Sequence, residues 1–245
     1  YFLYIFMDYN FIFFHIDTKR EELSNKHANI ERESIVYFIN SIKKYHPNSR
    51  IIHCTDFITE SFKEVNQTHR TDFDRNYLMY GKIKSFSTLK INKTSIYLDP
   101  DMLLMRNIPI NKFEERAEVF LLKRSFNNNV NIPVKFRGLK FLQHENKYYS
   151  DLYPYIACLV ICKKEKFWKK CLSFFEEIEN VYKIWFGDQE ILRMIVEKNN
   201  FDFGFVEEKD FACPPQNLNG KTRPFIIHFK GKINKEIIKK YYQFV

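Results

Sequence analysis

Three short runs, two of them nearly all-apolar, constrain this chain more than any other feature. Phe11 to Ile16, Arg50 to Cys54 (through Ile51 and Ile52) and Ile96-Tyr97-Leu98 are too short for buried helices. They suit strands covered on both faces, as in a parallel sheet. Between the first two, Glu31 to Tyr45 sets Ile35, Phe38, Ile39 and Ile42 at helical spacing, and Pro47-Asn48 ends that helix. Strand, helix, strand of these lengths is a βαβ unit, so the N-terminal half is predicted to be Rossmann-like.

The same patterns continue. Asn76 to Leu89 is predicted helical, with Met79, Ile83 and Phe86 on one face, and Val119 to Leu122 and Tyr155 to Cys162 are strand candidates. The polar stretch between those strands, around Asn127 to Asn131 and on to Asp151, exceeds an ordinary connection and predicts a functional or partly mobile loop. Lys166 to Tyr182 and Asp188 to Lys198 read as helices, Phe225 to Phe229 as a strand and Lys235 to Tyr242 as a closing helix. With 45% hydrophobic residues, including 26 Phe and 15 Tyr, the chain can bury a sizeable core. It has no internal repeat and no linker. The expected fold is a single α/β domain over residues 1–245, a mostly parallel central sheet flanked by helices.

A formal charge of +9 points to anionic partners. The densest basic stretch holds Lys230, Lys232, Lys235, Lys239 and Lys240, without any helix-turn-helix, zinc-finger or RNA-binding signature, so nucleic acid is not expected. Nucleotide diphosphates or an acidic membrane surface remain. Cys54, Cys158, Cys162, Cys171 and Cys213 show no metal-type spacing and are expected to be free thiols in a reducing compartment. The opening Tyr1 to Ile16 is broken by Asp8 and Asn10, too polar for a membrane span, and lacks the parts of a secretory signal. Either Met7 is a natural start or residues precede Tyr1. These features predict a soluble, cytoplasmic protein.

The chemistry centres on Asp99-Pro100-Asp101. Asp-x-Asp alone is a weak pattern, and Asp72-Phe73-Asp74 repeats the spacing after the polar run Asn66 to Thr71. Asp99 and Asp101 instead follow a buried strand directly, at the edge where open α/β sheets place ligands. Two carboxylates at that spacing offer hard oxygen donors to Mn²⁺ or Mg²⁺, which can bridge two phosphates. The plainer reading is a pair of solvated strand-end charges.

Ser95-Ile-Tyr-Leu-Asp-Pro-Asp-Met-Leu-Leu-Met-Arg-Asn-Ile108 resembles the donor-metal segment of the family 8 retaining glycosyltransferases, the glycogenin and lipopolysaccharide galactosyltransferase group, whose fold is GT-A. Three further segments occur in that family's order. Lys82-Ile-Lys-Ser-Phe86 resembles its donor-contacting helix, Gly187-Asp-Gln-Glu-Ile191 its Asp-Gln segment beside the transferred sugar, and Ile227-His-Phe-Lys-Gly231 its His-x-x-Gly segment. The resemblance implies a nucleotide-binding half over about 1–108 and an acceptor half over about 109–245. It implies transfer of a hexose from a uridine-linked diphosphate sugar to a hydroxyl acceptor, with retention at the anomeric carbon, in surface glycan or polysaccharide synthesis.

Within the resemblance, Asp99, Asp101 and His228 are the expected metal ligands, and the imidazole favours Mn²⁺ over Mg²⁺. Asp188 and Gln189 are the expected catalytic pair, although Asp188 is also placed to cap its helix through the Glu190 and Ile191 amides. Lys82 or Lys84, Gly231, Lys232 and Lys235 are expected at the diphosphate, and Asp17 at the base or ribose. The chain departs from the family where Ile156-Ala157-Cys158 replaces Asn-Ala/Ser-Gly, and where Asn234-Lys235 stands in place of Lys-Pro. The acceptor is expected to be a glycan, a lipid-linked sugar or another hydroxyl compound. The segment from Lys235, with Ile237, Ile238, Tyr241, Tyr242 and Phe244, either docks on an anionic bilayer or packs on the core. Two rival readings stand. A nucleotidyltransferase would need a Gly-rich loop after the first strand, and Asp17 to Glu22 holds no Gly. A sugar-nucleotide-binding protein without turnover is motivated by Ile156 and the altered tail.

Overall fold

The computed structural model describes residues 9–17, 30–126, 135–136, 139–140, 148–163, 165–184, 186–198 and 201–245. In chain order the elements are β1 (Asn10–Phe14), α1 (Arg32–Tyr45), β2 (Arg50–Thr55), β3 (Gln67–Arg70), α2 (Leu78–Thr88), β4 (Ser95–Leu98), β5 (Met102–Leu104), α3 (Asn111–Glu114) and β6 (Val119–Lys123). There follow β7 (Lys135–Phe136), β8 (Leu139–Lys140), α4 (Tyr149–Leu152), β9 (Tyr155–Cys162), α5 (Lys166–Glu177), α6 (Asn180–Ile184), α7 (Gly187–Glu197), β10 (Phe203–Glu207), α8 (Glu208–Phe211), β11 (Ile226–His228), α9 (Lys232–Glu236) and α10 (Ile238–Tyr242).

Seven strands form one sheet in the order β10-β6-β9-β4-β1-β2-β3. β1 runs parallel to both β2 and β4, β3 parallel to β2, and β10 parallel to β6. Only β9 is reversed, antiparallel to β4 and β6 alike. The fold is therefore α/β with a mostly parallel sheet, as expected. Chain order reverses between β1 and β4, and that switch point opens a crevice at the carboxyl ends of the strands.

Burial follows the sequence periodicity. Ile35, Phe38, Ile39 and Ile42 of α1 cover one sheet face, together with Phe11, Phe13 and Ile96. α2, α5 and α7 cover the other through Ile83, Phe86, Phe167, Phe174, Phe175, Ile191 and Ile195. All five cysteines are free and buried, so they act as small core fillers.

Several sequence expectations need correction. The polar run from Asn66 holds β3, an edge strand whose residues are all half-exposed and so carry no apolar alternation. The helix expected to reach Tyr182 ends at Glu177 and restarts as α6. The closing helix is two short ones, α9 and α10, meeting at Ile237, which lets Ile238 seat beside Leu103, Ile227 and Phe229. Tyr242 stacks on Tyr37 with centroids 4.4 Å apart, and Tyr241 meets Phe229 edge-on. The apolar residues of this segment thus face the protein, while Phe244 stays exposed. The Asn127–Asn131 stretch lies outside the described residues.

His46 gives a clean pH test. Burial lowers its pKa to about 4, and its Nε2 accepts the Ile108 N–H at 3.1 Å. A group depressed in the fold contributes stability above its unfolded pKa near 6.5, and loses it as pH falls toward 4. Between pH 7.5 and 5.5 the native protein should lose about 1 kcal/mol more stability than His46→Gln, which keeps an acceptor for Ile108. Equal losses in parallel urea titrations of the two proteins would show the idea wrong.

Candidate active site

β4 delivers Asp99, whose N–H continues the ladder to the Cys158 carbonyl at 3.0 Å. Asp101 lies two residues on, just before β5. β5 pairs antiparallel with β11, and Met102 stands opposite His228. The Phe229 N–H donates to the Asp101 carbonyl at 2.8 Å, which clasps the two segments at the point where both side chains emerge. One ligand atom each from Asp99, Asp101 and His228 lies within 4.8 Å of the others.

That donor set fits a divalent cation. Octahedral metal–ligand bonds near 2.2 Å put adjacent donors about 3.1 Å apart, and His228 Nε2 lies 3.3 Å from Asp101 Oδ1. Burial works against a charge on His228, but Cys158 and the Asp101 carboxylate outweigh it and raise its pKa to about 10. The other Asp-x-Asp is spent locally, since Asp74 Oδ1 accepts the Asn76 N–H at 2.9 Å and starts the turn into α2.

Two lysines join the carboxylates. Lys82, from α2, is 6% exposed. Its Nζ lies 2.9 Å from Asp99 Oδ1, 3.1 Å from Asp188 Oδ2 and 3.3 Å from the Ala157 carbonyl. Burial would lower its pKa, but the Asp99 and Asp188 carboxylates hold it above the ordinary lysine range. Lys84 instead lies over the Tyr80 ring, 6.0 Å from its centroid. Lys235 Nζ reaches Asp101 Oδ2 at 3.2 Å. Gly231 makes that return possible: its φ of +86° turns the chain out of β11, a conformation costing other residues roughly 1 kcal/mol or more. The side chain of Lys232 lies outside the described residues.

Asp188 does not cap α7 as expected. Phe186 holds the capping position and its carbonyl accepts from both Gln189 and Glu190 at 3.1 Å. The Asp188 side chain turns to Lys82 and to its neighbour's N–H, at 2.9 Å from Oδ1. Phe186 itself has φ +67°, a left-handed conformation that bulky residues seldom adopt. Gly187 follows under equal constraint, for a Cβ there would strike the Tyr182 carbonyl and come within 2.6 Å of the Phe175 ring. Gly187→Ala should cost roughly 1–3 kcal/mol and displace the start of α7, a loss that a melting curve would register.

Gln189 Oε1 accepts from Arg124 at 3.0 Å. The sequence reading overlooked Arg124. Its signal was faint, a lone arginine one residue past β6, although the strand-end rule that singled out Asp99 applies there too. Asp17 follows β1 at the same sheet edge. Its carboxylate is gripped by Arg32 at 2.8 and 3.0 Å and by His15 at 3.1 Å. The His15 hydrogen bond comes first in holding it well below the usual carboxylate range. Ile156, where the resemblance expects Asn, is buried in the core.

No family model matches the sequence, nor does any curated protein. Solved structures do, and they define the fold as that of GT-A glycosyltransferases. One is a glycosyltransferase involved in glycosylation of the major capsid of PBCV-1, 10% identical, with a TM-score of 0.58 over 97% of this chain and 100% of that one. Another is the galactosyltransferase LgtC with donor and acceptor sugar analogues, 12% identical, TM-score 0.54, covering 96% of this chain and 95% of that one. An active-site variant of LgtC matches at 13% identity and TM-score 0.53, over 91% and 88% of the two chains.

Proposed function

We propose that this chain is a metal-dependent glycosyltransferase, moving a hexose from a nucleotide diphosphate sugar, uridine-linked and with retention, to a hydroxyl acceptor. The observation that carries the reading is the convergence of Asp99, Asp101 and His228 from β4, β5 and β11 within 4.8 Å. A bound Mn²⁺ or Mg²⁺ would neutralise charge building on the leaving diphosphate. The chain's own residues divide the remaining work. Lys235, already at Asp101, is within reach of a phosphate oxygen bound to the same centre. Lys82 fixes Asp188 against Asp99, so the carboxylate that faces the sugar is rigid before substrate arrives. Asp17 serves the base or ribose, and Gly231 and Lys232 the diphosphate. The 1–108 half carries the nucleotide and the 109–245 half the acceptor, a glycan or lipid-linked sugar. No helix among the described residues is long and apolar enough to cross a membrane.

The test is nucleotide release with Mn²⁺ across a panel of sugar nucleotides, since slow donor hydrolysis needs no acceptor. Release from one or a few donors, abolished by chelator, is expected. Tight binding without release would favour the rival that buried Ile156 supports, a sugar-nucleotide-binding protein without turnover.

A further inference from the structure

We propose that Arg124 is a positioning residue that orients the Gln189 amide so that its NH₂ donates to the transferred sugar. The inference rests on the glycosyl-transfer reading and specifies how the sugar is held.

Arg124 is 8% exposed and clasps three segments. Its backbone N–H donates to the Pro154 carbonyl at 2.8 Å, its Nε to the Tyr153 carbonyl at 3.1 Å and its Nη2 to Gln189 Oε1 at 3.0 Å. The chain just beyond is pinned as well, because Glu208, itself buried, accepts the Ser125 and Phe126 N–H groups at 2.9 and 3.1 Å. Arg124 therefore cannot withdraw without disturbing β6, the entry to β9 and the start of α7 together.

A guanidinium carries donors only, so it dictates the orientation of any amide it touches. The oxygen of Gln189 must face Arg124, and a flip would set N–H against N–H in a half-buried site. The NH₂ of Gln189 is then the end turned away from Arg124. Asp188, next in the chain, reaches Lys82 and through it Asp99, and in the glycosyl-transfer reading Asp188 and Gln189 together flank the sugar. That NH₂ suits an acceptor oxygen on the sugar, a hydroxyl or the ring oxygen.

The test is a double-mutant cycle read by calorimetry with Mn²⁺, using the donor that the panel above selects and its bare nucleoside diphosphate. Arg124→Met should weaken the sugar nucleotide about tenfold, the scale of one charged hydrogen bond, and leave the bare nucleotide unchanged. In a Gln189→Ala background the same substitution should cost nothing further. Gln189→Glu, which keeps a partner for Arg124 but lacks the NH₂, should reproduce the Arg124→Met loss. Should Arg124→Met not fold, Arg124→Lys replaces it in the same cycle, with a smaller loss that again vanishes beside Gln189→Ala. Equal losses in both backgrounds, or equal losses for both ligands, would overturn the proposal while sparing the glycosyl-transfer reading. A native protein that releases nucleotide from no donor and binds none would overturn both.

Discussion

Asp188→Asn should cut sugar transfer by a factor of roughly 10²–10³ while leaving Mn²⁺-dependent nucleotide binding nearly intact. In the proposed reading the cation and diphosphate belong to Asp99, Asp101 and His228, whereas Asp188 is held on the other side of Lys82. Its negative charge matters most when positive charge develops at the anomeric carbon, so its loss should appear in turnover rather than in donor affinity. Asparagine keeps an oxygen for Lys82 or for the Gln189 N–H, and Lys82 keeps Asp99 as a counter-ion. The buried ammonium is then less well compensated, so a modest fall in melting temperature is expected alongside. Wild-type turnover would reduce Asp188 to a structural anchor for Lys82. Lost nucleotide binding would move it into the donor site.

The complementary result is expected at Asp101. Asp101→Asn should weaken Mn²⁺ by on the order of a hundredfold or more, since losing even an outer-shell partner of a metal ligand typically costs 10–100-fold. Burial would raise the pKa of this carboxyl, but Lys235 and His228 outweigh it and hold the group ionised. Asparagine is nearly isosteric, so the β5–β11 clasp should survive, because it is made by the Asp101 backbone carbonyl. Mn²⁺ titration by electron paramagnetic resonance, on Asp101→Asn and Asp188→Asn side by side, separates the two roles. Equal Mn²⁺ affinity in Asp101→Asn and the native chain would remove Asp101 from the metal centre.

Parts of this arrangement were legible before any coordinates, for identifiable reasons. β1, β2 and β4 are buried nearly throughout and α1 along one face, and burial writes itself into sequence as apolar runs and helical stripes. The family resemblance groups Asp99, Asp101 and His228, and each lies at or just past such a run. β3 and β10 could not be read, since they are the sheet edges and their half-exposed residues follow no period. Strand direction also escaped. The residues of β9 would look the same in a parallel strand, and only the fold shows it reversed between β4 and β6. The left-handed Phe186 was invisible for a different reason: glycine usually marks such positions, and the glycine here comes one residue later.

The pairing of β5 with β11 joins residues 102–104 to residues 226–228. During synthesis, a chain extended through Asp188 already carries Lys82, Asp99, Asp101 and Asp188, yet it lacks His228 and Lys235. The proposed centre is complete only when the last strand docks, so a half-made chain lacks one of its three candidate metal ligands. Trimming the carboxyl end by a protease would have the converse effect. One cut ahead of Ile226 would separate His228 and Lys235 from Asp101 while leaving all seven strands of the main sheet in place.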